Sequence, residues 1–485
     1  MNPTAKLYQT VNAAWREGRL ENILERKKEL ASLHAEIKTL KSKLVTAINK
    51  DLGVSEPSIN EEIRLILEVL KKLYDDLDFP GQLANEKALA RGKSLEQNLV
   101  PVGPTLIDPC PQFPLSSTLL PLAAAVAAGS AVVILALSQT PATFAIIREM
   151  VLATLDREAI AITDGDSSDV RKELGEKRFA VAVLQNHSEK QDLLRRLQKV
   201  NTTVRILSPS SGIPAVFVER GVKSLTAVAD HILTSILNNP RPSTFRTPRI
   251  VLVEESRTNM LATLLTKAHN GAAESVTSSP HAEELQGLLQ GKTITSSDLL
   301  PAIIQLNSSQ IDASEIQKIA RHVTTQQRGV VLCPIRSLDH GIDLMNKVNT
   351  EDISQAHYVF GDGKVPFYVG AFTNAHQVFV NQIPMRSSMI VCSDSTTSSY
   401  DLPYSREDFS INKPYLQVPL RSPLEEDISR SILSHRLALG KIHQPKGGNM
   451  SFFEKGLIYG LLTSLVALSG VSYGLVRGFR YLSNI

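Results

Sequence analysis

Cysteine is scarce in this chain of 485 residues: Cys110, Cys333 and Cys392 are odd in number and far apart. That excludes a disulfide framework and a C-x-x-C metal site, and it fits a reducing compartment. Excess charge is missing too. The formal net charge is only +3 and no basic run resembles a nucleic-acid-binding arm, so nucleic acid is not an expected partner. The N-terminal MNPTAKLYQTVNAAWREGRLENILERKK lacks the apolar run of a signal peptide, so the N-x-S/T triplets at Asn201, Asn307 and Asn449 carry no expectation of glycosylation. His187, His340 and His376 have no metal-ligand spacing and read as solvated side chains, so no metal is expected. No internal repeat and no long low-complexity tract occurs.

Charge is absent from two long stretches. From Gly456 to Val476 the chain reads GLIYGLLTSLVALSGVSYGLV, 21 residues bounded by Lys455 and by Arg477 and Arg480. A helix of this length crosses the ~30 Å hydrocarbon core of a bilayer. The expected element is a C-terminal transmembrane helix; a buried core helix would normally show a polar face over such a length. With nine residues following, insertion would be post-translational, leaving residues 1 to about 450 cytosolic. The short tail with two arginines favours a mitochondrial outer or peroxisomal membrane over the endoplasmic reticulum.

The other stretch runs from Asp108 to Arg148 without a charged residue between them. Its punctuation argues against a membrane span. An Ala-rich helical segment, Pro121 to Ala128, stops at Gly129-Ser130; the β-branched run AVVIL follows, then Ser138-Gln139-Thr140, Pro141 and a second helix. That is the rhythm of a doubly wound α/β sheet. Helical periodicity over 18–50 and 60–78 precedes it, and short apolar runs such as FAVAVLQ, TVRILS, AVFVE, RIVLVEE, GVVLCPI, AHYVF and QVFVNQ alternate with amphipathic segments after it. Residues 270–313, rich in Ser, Thr and Ala, read as a surface helix-loop insertion.

The order of these segments resembles the aldehyde dehydrogenase superfamily. VPVGPTLIDPCPQFPLSSTLLPLAAAVAAGSAVVILALSQTPAT is similar to that family's P-x-G-V-x-x-I-x-P-W-N-Y-P-L…A-x-A-A-G-N-x-V-V-x-K-P-S-E…P, and the likeness continues through PAVFVERGVKSLTAVADHIL, PRIVLVEE, SLDHGIDLMN, AHYVF, VFVNQIPM and LPYS, over roughly residues 20 to 420. The early helices and apolar tail look most like the fatty-aldehyde, class 3 branch. The resemblance implies an α/β fold: a Rossmann-type cofactor domain with N-terminal helices over 1–207, an α/β catalytic-type domain over 208–385 and an oligomerisation and C-terminal arm over 386–450, followed by the transmembrane helix at 456–476. It also implies dimerisation.

The same resemblance implies a cysteine nucleophile, a glutamate base, an oxyanion-binding Asn and NAD(P) contacts. Aligned from Pro248 and the strand at Val251 and Val253, the nucleophile position holds Phe245, which has no nucleophilic atom. Pro240 and Pro242 occupy the loop that should offer a backbone N–H. A slip of one or two residues would offer Ser243 or Thr244, but with no adjacent base. Burial is the expected role of Cys110, Cys333 and Cys392. The base position, in Ser208-Pro209-Ser210-Ser211-Gly212-Ile213-Pro214, holds Ser208; the oxyanion position holds Gln112. The ribose-binding Lys and Glu correspond to Leu135 and Ser138, the glycine-rich turn to residues 185–189, and the nicotinamide-ribose Glu to Thr324. The expectation is a catalytically defective aldehyde dehydrogenase-like protein with no intact catalytic or cofactor site, no expected cofactor and no metal. It would be tail-anchored, act by association with a partner or apolar ligand, and form a homodimer or a heterodimer with an active paralogue. The alternative is a divergent NAD- or NADP-dependent dehydrogenase oxidising apolar or long-chain aldehydes to acids.

Overall fold

The computed structural model describes residues 3–186, 190–237, 245–270, 294–297, 300–306, 312–326, 329–384, 386, 401–416, 439, 455–466 and 468–470. It divides into two units, Met1–Gln417 and Val418–Ile485.

The first unit begins with α1 (Pro3–Arg16), α2 (Ile23–Thr39), α3 (Lys41–Leu52), α4 (Glu56–Asp75) and α5 (Phe79–Ala90). Their boundaries follow local chemistry. The Asn22 side chain accepts from the Leu24 N–H to start α2, and Gly53 closes α3 at φ 66°. Along α4 the buried Ile59, Ile63, Ile66, Leu70 and Leu73 recur every three or four residues, so one face packs inward.

A short strand β1 (Leu99–Pro101) leads into alternating strands and helices: β2 (Thr105–Asp108), α6 (Pro114–Ala128), β3 (Val132–Ala136), α7 (Pro141–Thr154), β4 (Ile160–Asp164), α8 (Ser168–Gly175), β5 (Val181–Leu184), α9 (Lys190–Val200) and β6 (Arg205–Leu207). Strands β2 to β6 form a parallel sheet in the order β4-β3-β2-β5-β6. The charge-free stretch is thereby explained. All residues of α6 are buried, and β3 is a central strand covered on both faces. Helix α6 starts seven residues before the Ala-rich segment that periodicity marks, because Pro121 lies inside it without ending it. Proline cannot donate to the Ser117 carbonyl one turn back; the Gln185 side-chain amide does so instead, at 2.8 Å.

The second sheet uses β7 (Ala215–Val218), α10 (Leu225–Leu237), β8 (Ile250–Glu254), α11 (Glu255–Asn270), β9 (Ile294–Ser297), β10 (Leu300–Gln305), α12 (Ala313–Gln326), β11 (Gly329–Ile335), α13 (Leu338–Val348), β12 (His357–Phe360), α14 (Val365–Phe372) and β13 (Val378–Val380). The order is β13-β12-β7-β8-β11-β10-β9, parallel except for β9. Alternate residues feed opposite cores: Ala215 and Phe217 pack on one face, Val216 and Val218 on the other. The helix-loop reading of 270–313 needs correction, since β9 and β10 are strands there. Leu300–Gln305 places Ile303 and Ile304 beside Val330 and Val331, and burial against β11 outweighs the polar composition of the flanking residues. Finally β14 (Ser410–Asn412) returns to pair antiparallel with β1.

In the second unit, residues 455–466 and 468–470 are helical, with Leu457, Tyr459, Leu461, Leu465 and Val466 exposed. Among the described residues no helix is long and apolar enough to cross a membrane; residues 467 and 471–476 of the expected span lie outside them. Cys392 and His187 also lie outside.

His357 opens β12 at 0% exposure, its ring 5.6 Å from that of Phe217, and burial pushes its pKa down to about 4. The unfolded imidazole takes a proton below about 6.5 and the folded one only below about 4, so this residue's contribution to stability falls as pH drops through that window. Glu29, which burial pushes up to about 7, titrates with the opposite sign. The readout is therefore the difference between two proteins: in urea unfolding, His357→Leu should gain on wild type by up to about 3 kcal/mol between pH 6.5 and 4. A pH-independent difference would show that His357 does not titrate this way.

Candidate active site

In the five-stranded sheet the chain runs outward from β2 to β3 and β4 on one side and to β5 and β6 on the other, so the topological switch lies at the carboxyl ends of β2 and β5. That point is filled by protein. Asp108, the last residue of β2, is fully buried and accepts two hydrogen bonds of 2.9 Å from the Arg171 guanidinium of α8, which also donates to the Gly165 carbonyl. The Gln185 N–H donates to the Asp108 carbonyl at 2.9 Å.

Beside it, Leu135 is 0% exposed, and the loops around it are close-packed. A Cβ on Gly165 would come 2.6 Å from the Ala136 carbonyl oxygen and 2.9 Å from Leu135 Cβ. Ser138 is exposed, and its N–H donates to the Asp166 carboxylate. Neither Leu135 nor Ser138 carries the charge that a ribose site would use. A cleft of about 370 Å³ remains between α8 and α9, lined by Asp169, Lys172, Asp192 and Arg196 among others. Thr324 lies in the last turn of α12, where no side-chain position is described.

The segment from Ser208 to Pro214 bridges the two sheets and is wired to the turn after α13. Asn349 accepts from the Ile213 N–H at 2.7 Å and donates back to the Ile213 carbonyl at 3.1 Å. The Asp352 carboxylate accepts from both the N–H and the hydroxyl of Ser211, and Gln355 donates to the Ser210 hydroxyl. At Gly212 a Cβ would meet the Ile353 carbonyl carbon at 2.4 Å, so the glycine is required by close backbone approach. Ser208 is half-buried, and its hydroxyl donates to the neighbouring Pro209 carbonyl at 3.4 Å. That long contact supplies no partner that would raise the basicity of the hydroxyl.

Phe245 is half-buried and packs against the core formed by the N-terminal helices and the five-stranded sheet. Arg246 beside it is 1% exposed, its Nε and Nη1 without hydrogen-bond partners among the described residues, and its carbonyl accepts from the Tyr358 hydroxyl at 2.7 Å. Residues 238–244, including Pro240, Pro242, Ser243 and Thr244, lie outside the described residues. Gln112 is half-buried just ahead of α6, and its side-chain oxygen accepts from the Cys110 thiol at 2.6 Å. Burial pushes Cys110 up to about 12, which leaves it a protonated donor and no nucleophile. Cys333 is buried on β11. Among the described residues no cluster of His, Cys, Asp and Glu could hold a metal ion.

The model of the aldehyde dehydrogenase family matches residues 5–275, more than half of the chain. The chain belongs to the aldehyde dehydrogenase family. Its fold is similar to that of AldH from Staphylococcus aureus in a substrate-bound state, with a TM-score of 0.69, 19% identity, and coverage of 87% of this chain and 96% of that one. It is also similar to aldehyde dehydrogenase C of Pseudomonas syringae, a mutant complexed with NAD+ and octanal, with a TM-score of 0.66, 14% identity, and coverage of 85% and 88%. Aldehyde dehydrogenase family 3 member F1 of Arabidopsis thaliana is 27% identical over 154 residues, which span 30% of this chain and 31% of that relative.

Within this aldehyde dehydrogenase fold, the residue pair that sequence reasoning missed is Asp108 with Arg171. The available signal was a carboxylate ending an apolar strand at the border of the charge-free stretch. Arg171→Leu should destabilise the protein by about 3–5 kcal/mol in chemical denaturation, because Asp108 is left charged and buried. The double variant with Asp108→Leu should recover most of that loss; no recovery would show that the two residues are not coupled.

Proposed function

We propose that this aldehyde dehydrogenase family member retains the fold without the reaction and acts by association. The observation that carries the reading is Phe245: the position matching the nucleophile holds an apolar ring packed on the core. The Ser208 hydroxyl, which donates to the adjacent Pro209 carbonyl, supports it at the position of the base. Gln112 keeps an amide at the oxyanion position but is one methylene longer than the family's Asn, a displacement to which catalysis is sensitive.

The residues present do not fit a dinucleotide in the family's manner. Leu135 is buried, Ser138 carries no charge, and the Asp108–Arg171 pair occupies the switch point. Association would be with a second copy or with an active paralogue through the family's dimer surface, or with an apolar ligand in the former substrate tunnel. The segment 456–476 would anchor the chain in a cytosol-facing membrane, with a mitochondrial outer or peroxisomal membrane preferred. The alternative is a divergent NAD(P)-dependent aldehyde dehydrogenase acting on apolar or long-chain aldehydes. It draws on the fold shared with a relative that holds NAD+ and octanal and on the open cleft between α8 and α9.

Full-length protein in detergent should give no aldehyde-dependent NADH or NADPH; turnover would sink the inactive reading. Phe245→Cys should stay inactive, because the base and the ribose contacts are absent as well. Recovery of activity in that variant would show that the cofactor side is intact. Separately, deleting residues 456–485 should move the protein from the membrane to the soluble fraction, and continued attachment would refute the anchor.

A further inference from the structure

At the opposite edge of the five-stranded sheet, where β2, β5 and β6 begin, lies a cavity of about 530 Å³. This is a volume typical of small-molecule sites. Three guanidinium groups line it, those of Arg16 at the end of α1, Arg178 ahead of β5 and Arg205 at the start of β6, and no carboxylate does. Arg205 is fixed in place: its Nη1 donates to the carbonyls of Glu407, Asp408 and Ser410 at 2.7, 2.7 and 3.1 Å. Among the described residues the guanidiniums of Arg16 and Arg178 have no hydrogen-bonding or ion-pairing partner. Both lie close enough to the Tyr8 phenol to hold its pKa down against the stronger upward push of burial.

The walls are built to stay put. The Tyr8 hydroxyl donates to the Arg178 carbonyl at 2.7 Å, and its ring meets Phe179 edge-on at 5.2 Å. Gly103, at φ 145°, forms part of the floor; a Cβ there would come 2.8 Å from Ala180 Cβ and 3.9 Å from the Trp15 ring. Trp15 lines the cavity half-buried, presenting a flat apolar surface beside the cations.

From this geometry we infer that the cavity binds a small phosphate ester, its phosphate held by Arg16 and Arg178 and its organic part lying against Trp15. Three cations with no internal anion leave a positive field that a doubly charged group neutralises, and guanidinium forks match phosphate oxygens in pairs. The site lies at the edge of the sheet away from the positions of Phe245, Ser208 and Leu135, so it does not depend on whether the chain is an active dehydrogenase.

The test uses full-length protein in detergent and phosphate-free buffer, titrated calorimetrically with AMP, inorganic pyrophosphate and uncharged adenosine. Trp15 is the chain's single tryptophan, so its fluorescence reports this cavity. AMP and pyrophosphate should bind saturably, pyrophosphate with a change in Trp15 emission, and adenosine should not bind. Arg16 and Arg178 are exposed, so the double variant Arg16→Ala, Arg178→Ala should keep the wild-type melting temperature while affinity falls by about tenfold or more, as expected for loss of charged phosphate contacts. Three results would overturn the site: no binding of either phosphate compound, adenosine binding as well as AMP, or an equal loss of affinity in Arg91→Ala, an exposed arginine outside the cavity.

Discussion

Helix α6 is buried on every side, and much of the first unit follows from that constraint. A helix without a water-facing stripe can carry no charge, and its polar groups must find partners inside the protein. They do so from three directions. Glu62 of α4 accepts from the Ser116 N–H at 2.8 Å, the Ser117 hydroxyl donates to the Cys110 carbonyl at 3.2 Å, and Gln185 after β5 takes up the carbonyl that Pro121 leaves unpaired. The N-terminal helices and the five-stranded sheet are thus tied together through one element.

That arrangement positions the candidate site as well as the core. Gln112 sits on the turn into α6, and Asp108 ends the strand before it, so the position aligned with the family's oxyanion Asn and the switch point share one short connection. An ion pair with no water around it needs paired geometry to exist at all, and Arg171 supplies it bidentately. The same pair lies at the switch point between β2 and β5. Framework and reaction centre have separate requirements: parallel strands need apolar runs, whereas acyl transfer needs a nucleophile, a base and oxyanion donors. Here the first set is present in both sheets, and the positions that the family resemblance aligns with the second hold Phe245, Ser208 and Gln112.

Two parallel sheets, a central apolar strand after a glycine stop, and the family itself were legible in the amino-acid order, because β-branched runs and helix stops are local signals. The start of α6 was not, since Pro121 reads as a boundary and only Gln185, far along the chain, makes an interior proline tolerable. Strand β10 was hidden by the polar composition of its flanks, which pairing with β11 overrides, and β9 pairs antiparallel with β10 on its other side.

What the sequence determined by itself was which chemical groups stand at each position: a phenyl ring at Phe245, and no charge at Leu135 or Ser138. Identity is a one-dimensional property, and no folding can give Phe245 a nucleophilic atom. Tertiary structure alone decided which distant groups meet. The pairing of Asp108 with Arg171, the neutral burial of His357 and the gathering of Arg16, Arg178 and Arg205 around Trp15 each depend on strand order and helix packing, which bring together residues that no local pattern links.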